Sequence, residues 1–265
     1  MKKLALALAA TAAFAGQAFA ADMAARMPVK AAPVVAPVAS WTGCYIGAGG
    51  GYGLYDIESQ MFNGNNVPAT IVNRQFDQGG RGWIGTGQVG CDYQFPIGAS
   101  QFVVGAFGDY NFSDIKGGFT GNGVNVGLDS NTEKVDWYWS VGGRVGWLVN
   151  PQLLTYFSGG YTEAHRTGFS NYLSGAGVVR ANGLQGGTTQ GWFLGSGVEH
   201  TLWLPNLTWK TEYRFSRYDT RDSQEIVAAT GLNTGFFSRD KLYTHAVVST
   251  ISYRFNLGGP VVAKY

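Results

Sequence analysis

The chain has 265 residues, with 19 lysines and arginines against 17 aspartates and glutamates. Only 14% of the residues are charged, against about 25% in typical soluble domains. Glycine occurs 40 times, and aromatic residues make up 14% of the chain. The near balance of charge gives no support for nucleic-acid binding. No apolar run reaches the ~18 residues of a membrane-spanning helix.

The first 20 residues have the pattern of a secretory signal peptide. Lys2 and Lys3 precede an apolar run, and Ala18-Phe19-Ala20 supplies the small residues of a cleavage site. The sequence therefore predicts a signal peptide over residues 1–20, with cleavage after Ala20. Residues 21–40 are rich in alanine and proline, which predicts a flexible periplasmic linker.

Alternation of apolar and polar residues dominates the chain from residue 41 to residue 255. In KVDWYWSVGGRVGWLV (Lys134 to Val149), valine and tryptophan occupy almost every odd-numbered position, and polar residues or glycine occupy most of the others. A period of two is that of a β-strand with two different faces. The same pattern predicts eight strands, near 41–55, 83–95, 101–112, 134–149, 152–163, 189–203, 207–219 and 241–255.

The connections between these strands are alternately short and long. The short ones, 96–100, 150–151 and 204–206, each contain a proline, and the long ones, 56–82, 113–133, 164–188 and 220–240, are polar and glycine-rich. This layout is typical of an outer-membrane barrel, in which no strand edge stays open in the bilayer. The sequence predicts an all-β fold: an eight-stranded antiparallel up-and-down transmembrane β-barrel over 41–255, with a periplasmic tail over 256–265.

The second predicted strand contains GTGQVG (Gly85 to Gly90), which has the G-x-G-x-x-G spacing of a dinucleotide-binding loop. That motif binds a pyrophosphate only when a helix follows it. Here the alternating run continues until Pro96, so no helix can begin after the glycines. We interpret them as small residues of the barrel wall.

The tryptophans favour a membrane barrel over a secreted soluble barrel that binds a ligand. They fall into two bands, as in the aromatic girdles of membrane barrels. The polar face also carries mainly glycine, serine, threonine and glutamine rather than the many charges of a water-facing surface. Trp203 has the opposite parity to Trp192, so we expect a bulge or the turn itself there. The band near the short turns is Trp41, Trp147, Trp203 and Trp209, and the band near the long loops is Trp83, Trp137, Trp139 and Trp192.

Four stretches resemble a known family: WTGCYIGAGGGYG, GWFLGSGVEH, LTWKTEYRFSRYD and VVSTISYRF, together with the flanks DMAARMPVKA and GGPVVAKY. The chain is similar to the outer-membrane immunogenic, or porin-family, proteins of rhizobial and related alphaproteobacteria, with an opacity-protein-like barrel of the OmpA type. This resemblance implies a position in the cell outer membrane of a Gram-negative bacterium and no enzymatic activity. It also implies contacts with outer-membrane lipid and lipopolysaccharide, and with insertion machinery and periplasmic chaperones during biogenesis. Phe255 matches the terminal aromatic that the insertion machinery recognises, but residues 256–265 follow it, so the signal is either internal or partly supplied by Tyr265.

Charged residues on the inward face are the main candidates for a functional site. A buried charge persists only when it is paired, so we predict that they form a network across the lumen. That network is either an ion-selective constriction or a plug of salt bridges, and the narrow interior of an eight-stranded barrel favours the plug. The residues are Arg144, Glu199, Lys210, Glu212, Arg214 and Arg254.

The histidines and cysteines complete the candidates. His165, His200 and His245 match no hydrolytic spacing or metal-ligand cluster, so the sequence predicts no catalytic residue, cofactor or metal. Cys44 and Cys91 have outward parity near the periplasmic ends of neighbouring strands. We predict that they form a disulfide in the oxidising periplasm. Two free thiols are the alternative, because a bridge between adjacent strands needs particular geometry.

Two functions compete at this point. The first is a structural anchor that presents long polar loops as a surface antigen, with a binding partner that the sequence does not identify. The second is a porin or small diffusion channel for hydrophilic solutes. Polar, glycine-rich loops and a crowded interior favour the anchor, because freely conducting porins have about sixteen strands.

Overall fold

The computed structural model describes residues 40–72, 74–118, 132–173, 179–204 and 206–255. Within these ranges no helix is long and apolar enough to cross a membrane. The described residues form one antiparallel sheet of twelve strands. The strands are β1 (Gly43–Asn63), β2 (Thr70–Ile71), β3 (Phe76–Ile97), β4 (Ser100–Gly118), β5 (Thr132–Asn150), β6 (Leu153–Thr167), β7 (Phe169–Leu173), β8 (Val179–Leu184), β9 (Gly187–Thr201), β10 (Leu207–Tyr218), β11 (Arg221–Val227) and β12 (Asn233–Phe255).

Eight of these strands close into a ring in the order β1-β3-β4-β5-β6-β9-β10-β12. The ring is closed by antiparallel pairing of β12 with β1, from Cys44 opposite Phe255 to Asn63 opposite Phe236. Closure gives every ring strand two hydrogen-bonded neighbours and removes the open edges of a flat sheet. The predicted eight-stranded antiparallel up-and-down barrel is confirmed.

The ring strands continue further into the predicted long loops than expected. β3 begins at Phe76 rather than near residue 83, and β12 begins at Asn233 rather than near residue 241. The four remaining strands also lie in the predicted loops, where β11 pairs with β12, β8 with β11, and β7 with β8. The predicted loop bounds are therefore partly wrong. Glycines and polar residues on both faces hide the period of two in these segments.

The outer wall differs from that of a soluble barrel, because its exposed side chains are apolar. In β1, Tyr45, Tyr55 and Ile57 point inward and are buried, while the outward Ile46 and Leu54 are about half exposed. Buried serine, threonine, glutamine and charged residues share the interior with these aromatic and aliphatic side chains. The core of the molecule therefore lies in the lumen, and the exposed outer wall is apolar.

Outward aromatic side chains form two belts around the barrel. We call the end with the short turns the turn end, and the opposite end the loop end. Tyr52 and Trp83 meet edge-to-face in the loop-end belt, and Tyr253 and Phe255 do so in the turn-end belt. Trp203 lies beyond the last residue of β9, in the turn that precedes β10, which accounts for its parity.

The connections at the turn end are tight. Gly98 and Ala99 alone join β3 to β4, and Gly98 has φ +60°, a left-handed conformation that favours glycine. Asn206, which directly precedes β10, has φ 64°, and asparagine tolerates this region better than most residues. These turns fix the register of neighbouring strands, and so fix which inward side chains meet.

Candidate functional site

A group of four charged side chains fills the lumen near the turn end. This turn-end network consists of Asp92, Arg144, Glu199 and Arg254. Arg144 donates hydrogen bonds from Nε to Asp92 Oδ1 at 2.9 Å and from Nη1 to Glu199 Oε2 at 2.7 Å. Arg254 donates from Nη2 to the same two carboxylates, at 2.7 and 3.1 Å. Two cations thus face two anions in a buried, charge-balanced arrangement, which offsets the cost of desolvation.

Trp41 covers this network at the turn end. Its side chain is only 1% exposed, and its Nε1 donates a hydrogen bond to the carbonyl oxygen of Pro151 at 3.2 Å. The guanidinium of Arg254 lies 4.8 Å from the centre of its ring, a cation–π contact. The prediction that Trp41 belongs to the outer band is therefore wrong. Trp41 precedes the first residue of β1, so strand parity does not set its direction.

A second group, the central network, lies next along the lumen and consists of Asp109, Lys210, Glu212 and Arg214. Arg214 donates from Nη1 to Asp109 Oδ2 at 2.8 Å and pairs through Nη2 with Glu212 Oε1 at 2.7 Å. Lys210 Nζ lies 3.7 Å from Glu212 Oε2 and also donates a hydrogen bond to Gln88. The two cations again match the two anions.

Little space is left inside the central part of the barrel. A cavity of about 20 Å³ borders the central network, a volume that can hold a single water molecule. Towards the loop end the lumen is filled by an apolar layer of buried side chains that pack against one another. Its members are Tyr55, Ile57, Ile84, Ile115, Val135, Tyr138, Ala164, Tyr218, Leu242 and Ala246.

A third charged group lies beyond the apolar layer, and we call it the loop-end network. Arg166 donates from Nη1 to Glu133 Oε1 at 2.8 Å and from Nη2 to Asp240 Oδ2 at 3.3 Å. Asp240 also accepts hydrogen bonds from the hydroxyls of Ser59 and Ser223, each at 2.8 Å. One arginine therefore serves two buried carboxylates.

The structure brings all six predicted inward charges into the lumen, where they fall into two groups. Arg144, Glu199 and Arg254 are in the turn-end network, and Lys210, Glu212 and Arg214 are in the central network. Each group also contains an aspartate that was not predicted from the sequence, Asp92 in the first and Asp109 in the second. Their inward parity on β3 and β4 was the available signal. The loop-end network was missed because its residues fall in or beside segments predicted to be loops.

The chain has relatives with a common description. It is 30% identical over 245 residues to the 31 kDa outer-membrane immunogenic protein of Brucella melitensis, which covers 91% of this chain and 95% of that protein. The chain belongs to this family of outer-membrane immunogenic proteins. The 25 kDa outer-membrane immunogenic protein of Brucella canis is 28% identical over 258 residues, covering 96% of this chain and 99% of that relative. The resemblance stated from the sequence motifs is confirmed.

A rhizobial relative covers a smaller part of the chain, and two solved structures overlap most of it. The 22 kDa outer membrane protein of Rhizobium leguminosarum is 29% identical over 205 residues, covering 77% of this chain and 74% of that protein. No protein-family model matches the chain. Among solved structures, Neisserial surface protein A overlaps 81% of this chain and 98% of its own, with 13% identity and a TM-score of 0.36. The outer membrane protease OmpT of Escherichia coli overlaps 80% of this chain and 97% of its own, with 10% identity and a TM-score of 0.37.

Membership of the family places the barrel in the outer membrane of a Gram-negative bacterium, as predicted. The two aromatic belts then mark the two membrane interfaces, and the strand segments between them span the bilayer. In such barrels the short turns face the periplasm and the long loops face the exterior. The strand segments beyond the loop-end belt, with the loop-end network inside them, therefore form an extracellular extension of the barrel.

Glu133 is the titratable group of this extension with the clearest perturbation. Burial raises the pKa of the Glu133 carboxyl above its ordinary value; the charge of Arg166 opposes this rise, and the charge of Asp240 adds to it. Arg166 is shared between the two carboxylates, so its charge stabilises each of them less than it would stabilise one alone.

The predicted cysteine pair and the predicted insertion signal both lie near the turn end. The structure joins Cys44 and Cys91 in a disulfide, with the two sulfur atoms 2.08 Å apart, and the two residues are direct cross-strand partners in β1 and β3. Phe255 is the last residue of β12, pairs with Cys44 and has an outward side chain about half exposed. The predicted cleavage after Ala20, the linker 21–40 and the tail 256–265 lie outside the described residues.

The three histidines are on the outer wall rather than in the lumen. His165 Nδ1 lies 2.7 Å from Asp136 Oδ1, and its ring stacks on Trp137. His245 Nδ1 lies 2.7 Å from the hydroxyl of Tyr213, and His200 packs against Trp209. Among the residues that the structure describes, no group of three or more His, Cys, Asp or Glu could hold a metal ion.

Proposed function

We propose that the protein is a non-enzymatic, non-conducting anchor that presents its extracellular segments as an antigen at the cell surface. The observation that carries the proposal is the filled lumen. Trp41, the turn-end network, the central network and the apolar layer follow one another from the periplasmic end towards the exterior. A hydrated ion would have to displace several paired charges and then cross packed aromatic and aliphatic side chains.

The energetics of the networks support a plug rather than an ion-selective constriction. In the turn-end network, every carboxylate contacts two arginines. Separating these pairs to admit an ion leaves buried charges without partners, which costs several kcal/mol. A conducting pore would instead need a continuous column of water along its charged side chains.

The exposed loop surface and the names of the relatives support the antigen role. The loop between β1 and β3 carries Val67, which is almost fully exposed. The curated relatives are described as immunogenic proteins. Polar loops on a rigid barrel suit variable surface contacts, because loop changes do not disturb the wall.

Single-channel recording tests the lumen directly. The full barrel, purified and inserted into a planar lipid bilayer, should show no stable open state across a range of applied voltages. Stable openings on the nanosiemens scale would refute the anchor and promote the alternative, a porin for small hydrophilic solutes. Insertion is verified independently by the shift in gel mobility between heated and unheated samples.

Surface display is tested with two single-cysteine additions. Val67→Cys lies in an extracellular loop, and the matched control Ala99→Cys lies in the turn between β3 and β4. On intact cells, a membrane-impermeant maleimide should label the first variant and leave the second unlabelled until the outer membrane is opened. Labelling of Ala99→Cys alone on intact cells would reverse the assigned orientation and refute the proposed display.

A further inference from the structure

Outside the lumen, a row of basic side chains crosses three neighbouring strands just above the extracellular aromatic belt. Arg81 on β3 is the direct cross-strand partner of Lys116 on β4, and Lys116 is the partner of Lys134 on β5. We call these three residues the basic row. Direct partners in an antiparallel sheet have Cβ atoms about 5 Å apart, so the three charged groups can reach one common ligand.

One carboxylate holds two of these cations together. Asp114 lies 3.1 Å from Lys116 Nζ and 3.0 Å from Lys134 Nζ, and these two lysines lower the pKa of the Asp114 carboxyl through hydrogen bonds and charge. No described residue forms an ion pair with Arg81, which is exposed. Among the described residues, Asp114 is the one carboxylate within ion-pair distance of the row, while Asp136, the next outward carboxylate on β5, lies 2.7 Å from His165. The row therefore keeps a local excess of positive charge on the outward wall.

The height of the row matches the headgroup layer of the outer leaflet. Along the strands, Arg81 lies two residues beyond Trp83, and Lys116 lies four residues beyond Phe112. At about 3.3 Å per residue and a 45° tilt, these steps raise the cations roughly 5 to 9 Å above the belt. The headgroup region of one leaflet is about 5 to 8 Å thick. The cations therefore lie where the phosphates of a lipid headgroup would be.

Below the row, an open groove of about 880 Å³ crosses the lipid-facing wall. Its floor follows one line of cross-strand partners, Trp139, Tyr110, Gly87, Ala48 and Ile251. Five strands at ~4.8 Å spacing give this line a length of about 20 Å, comparable to the ~15 Å depth of one acyl layer. Its end at Trp139 and Tyr110 lies on β5 and β4, the strands that carry Lys134 and Lys116.

We propose that the basic row is a binding site for a phosphorylated glycolipid of the outer leaflet, with one acyl chain in the groove. The phosphates would pair with Arg81, Lys116 and Lys134, and the chain would lie over Gly87 and Gly108. The positive charge of the basic row favours phosphate groups as ligands. Because the row lies at the height of the headgroups and the groove at the height of the acyl chains, a lipid fits the site better than a soluble anion. This site goes beyond the anchor function, because none of its residues lies in the lumen.

Native mass spectrometry of the purified barrel tests the headgroup contact, with bisphosphorylated lipid A as the probe. The triple variant R81Q/K116Q/K134Q should bind the probe at least about tenfold more weakly, since each basic residue near an anionic surface contributes roughly a factor of five. The wild-type chain should show a similar loss for lipid A without phosphates. Gel mobility before and after heating verifies that each variant is folded.

A matched triple variant removes the same charge elsewhere on the outer wall. R217Q/R239Q/K241Q lies beyond the same belt on β10 and β12, and it should bind lipid A like the wild-type chain. Equal weakening by the two triple variants would overturn the site, since general attraction would then explain the binding. Failure of wild-type protein to prefer the phosphorylated probe would also overturn it, as would full competition by millimolar inorganic phosphate.

A second pair of variants, one inside the groove and one outside it, tests the acyl contact. A Cβ atom at Gly87 would meet no atom within 4 Å, and a Cβ atom at Gly108 would lie 3.7 Å from the carbonyl oxygen of Ser140, so both positions have room for a side chain. G87L/G108L should fill the groove and weaken lipid A binding about tenfold through lost acyl burial. Gly85→Leu, equally open and outside the groove lining, should leave binding unchanged. Equal binding by both variants would overturn the acyl contact.

Discussion

Replacing Arg144 with methionine should strongly destabilise the barrel. In the folded chain Arg144 contacts Asp92 and Glu199, and both carboxylates also contact Arg254. Methionine retains much of the side-chain volume but removes the positive charge. The variant would then bury two carboxylates with a single arginine, and the turn-end network would carry one uncompensated negative charge.

The expected cost follows from that imbalance. Removing one partner of a buried ion pair typically lowers the free energy of unfolding by about 3 to 5 kcal/mol. Glu199→Gln should cost a similar amount, because it leaves two arginines with Asp92 alone. The double variant R144M/E199Q restores balance between Asp92 and Arg254. Its cost should therefore fall short of the sum of the single costs by about 2 to 3 kcal/mol.

Urea unfolding of the barrel in lipid vesicles, followed by tryptophan fluorescence, measures all four free energies of the cycle. Lys241→Gln is the control, because Lys241 lies 4.0 Å from Glu58 on the outer wall and is 47% exposed. It should cost less than about 1 kcal/mol. Single costs that add to within about 0.5 kcal/mol of the cost of the double variant would contradict a coupled network, as would an Arg144→Met cost no larger than that of Lys241→Gln.

Further predictions concern other parts of the chain. Trp41→Ala should increase the frequency of brief small openings in planar bilayers, because it removes the cover of the turn-end network, while Trp209→Ala on the outer wall should not. Titration of the unreduced, denatured protein should find no reactive thiol, whereas two thiols per chain would exclude the bridge between Cys44 and Cys91. The double variant C44S/C91S should lose up to about 4 kcal/mol of stability for a closed loop of 47 residues. The pKa of Glu133 is raised in the folded chain, so between its ordinary and its raised pKa the folded state binds more protons than the unfolded state. The free energy of unfolding should therefore fall as pH rises through that window. Glu133→Gln should remove this pH dependence, and an unchanged dependence would contradict the assignment to Glu133. Intact-mass measurement on protein from outer membranes should give a chain that begins at Ala21, and a mass that retains residues 1–20 would exclude the predicted cleavage.

The sequence by itself was sufficient for the fold because the bilayer imposes a simple pattern. Between the two belts, every second side chain must be apolar and every backbone group must pair within the wall. Residues 137–147 keep this period except at Gly143, and the three proline-containing turns separate the hairpins. Val135 has the parity of Trp137 but is buried in the lumen, because a β-bulge separates the two residues. The same parity placed Arg144 and Glu199 in the lumen and Cys44 and Cys91 on the outer wall. To assign each of these side chains to the inner or outer face, only the alternation of apolar and polar residues within its own strand is needed.

Parity fails where the bilayer no longer constrains the chain. Beyond the extracellular belt the outer face meets water, and the inner face mixes apolar side chains with the polar side chains of the loop-end network, so β11 and the extended ends of β3 and β12 leave no clear period in the sequence. Trp41 precedes its strand, so its inward position depends on tertiary contacts with Pro151 and Arg254. The pairing of Arg144 with Asp92 and Glu199 also depends on register, because the three residues come from β5, β3 and β9. Parity gives the face of each side chain, whereas ring closure and strand register decide which charges meet.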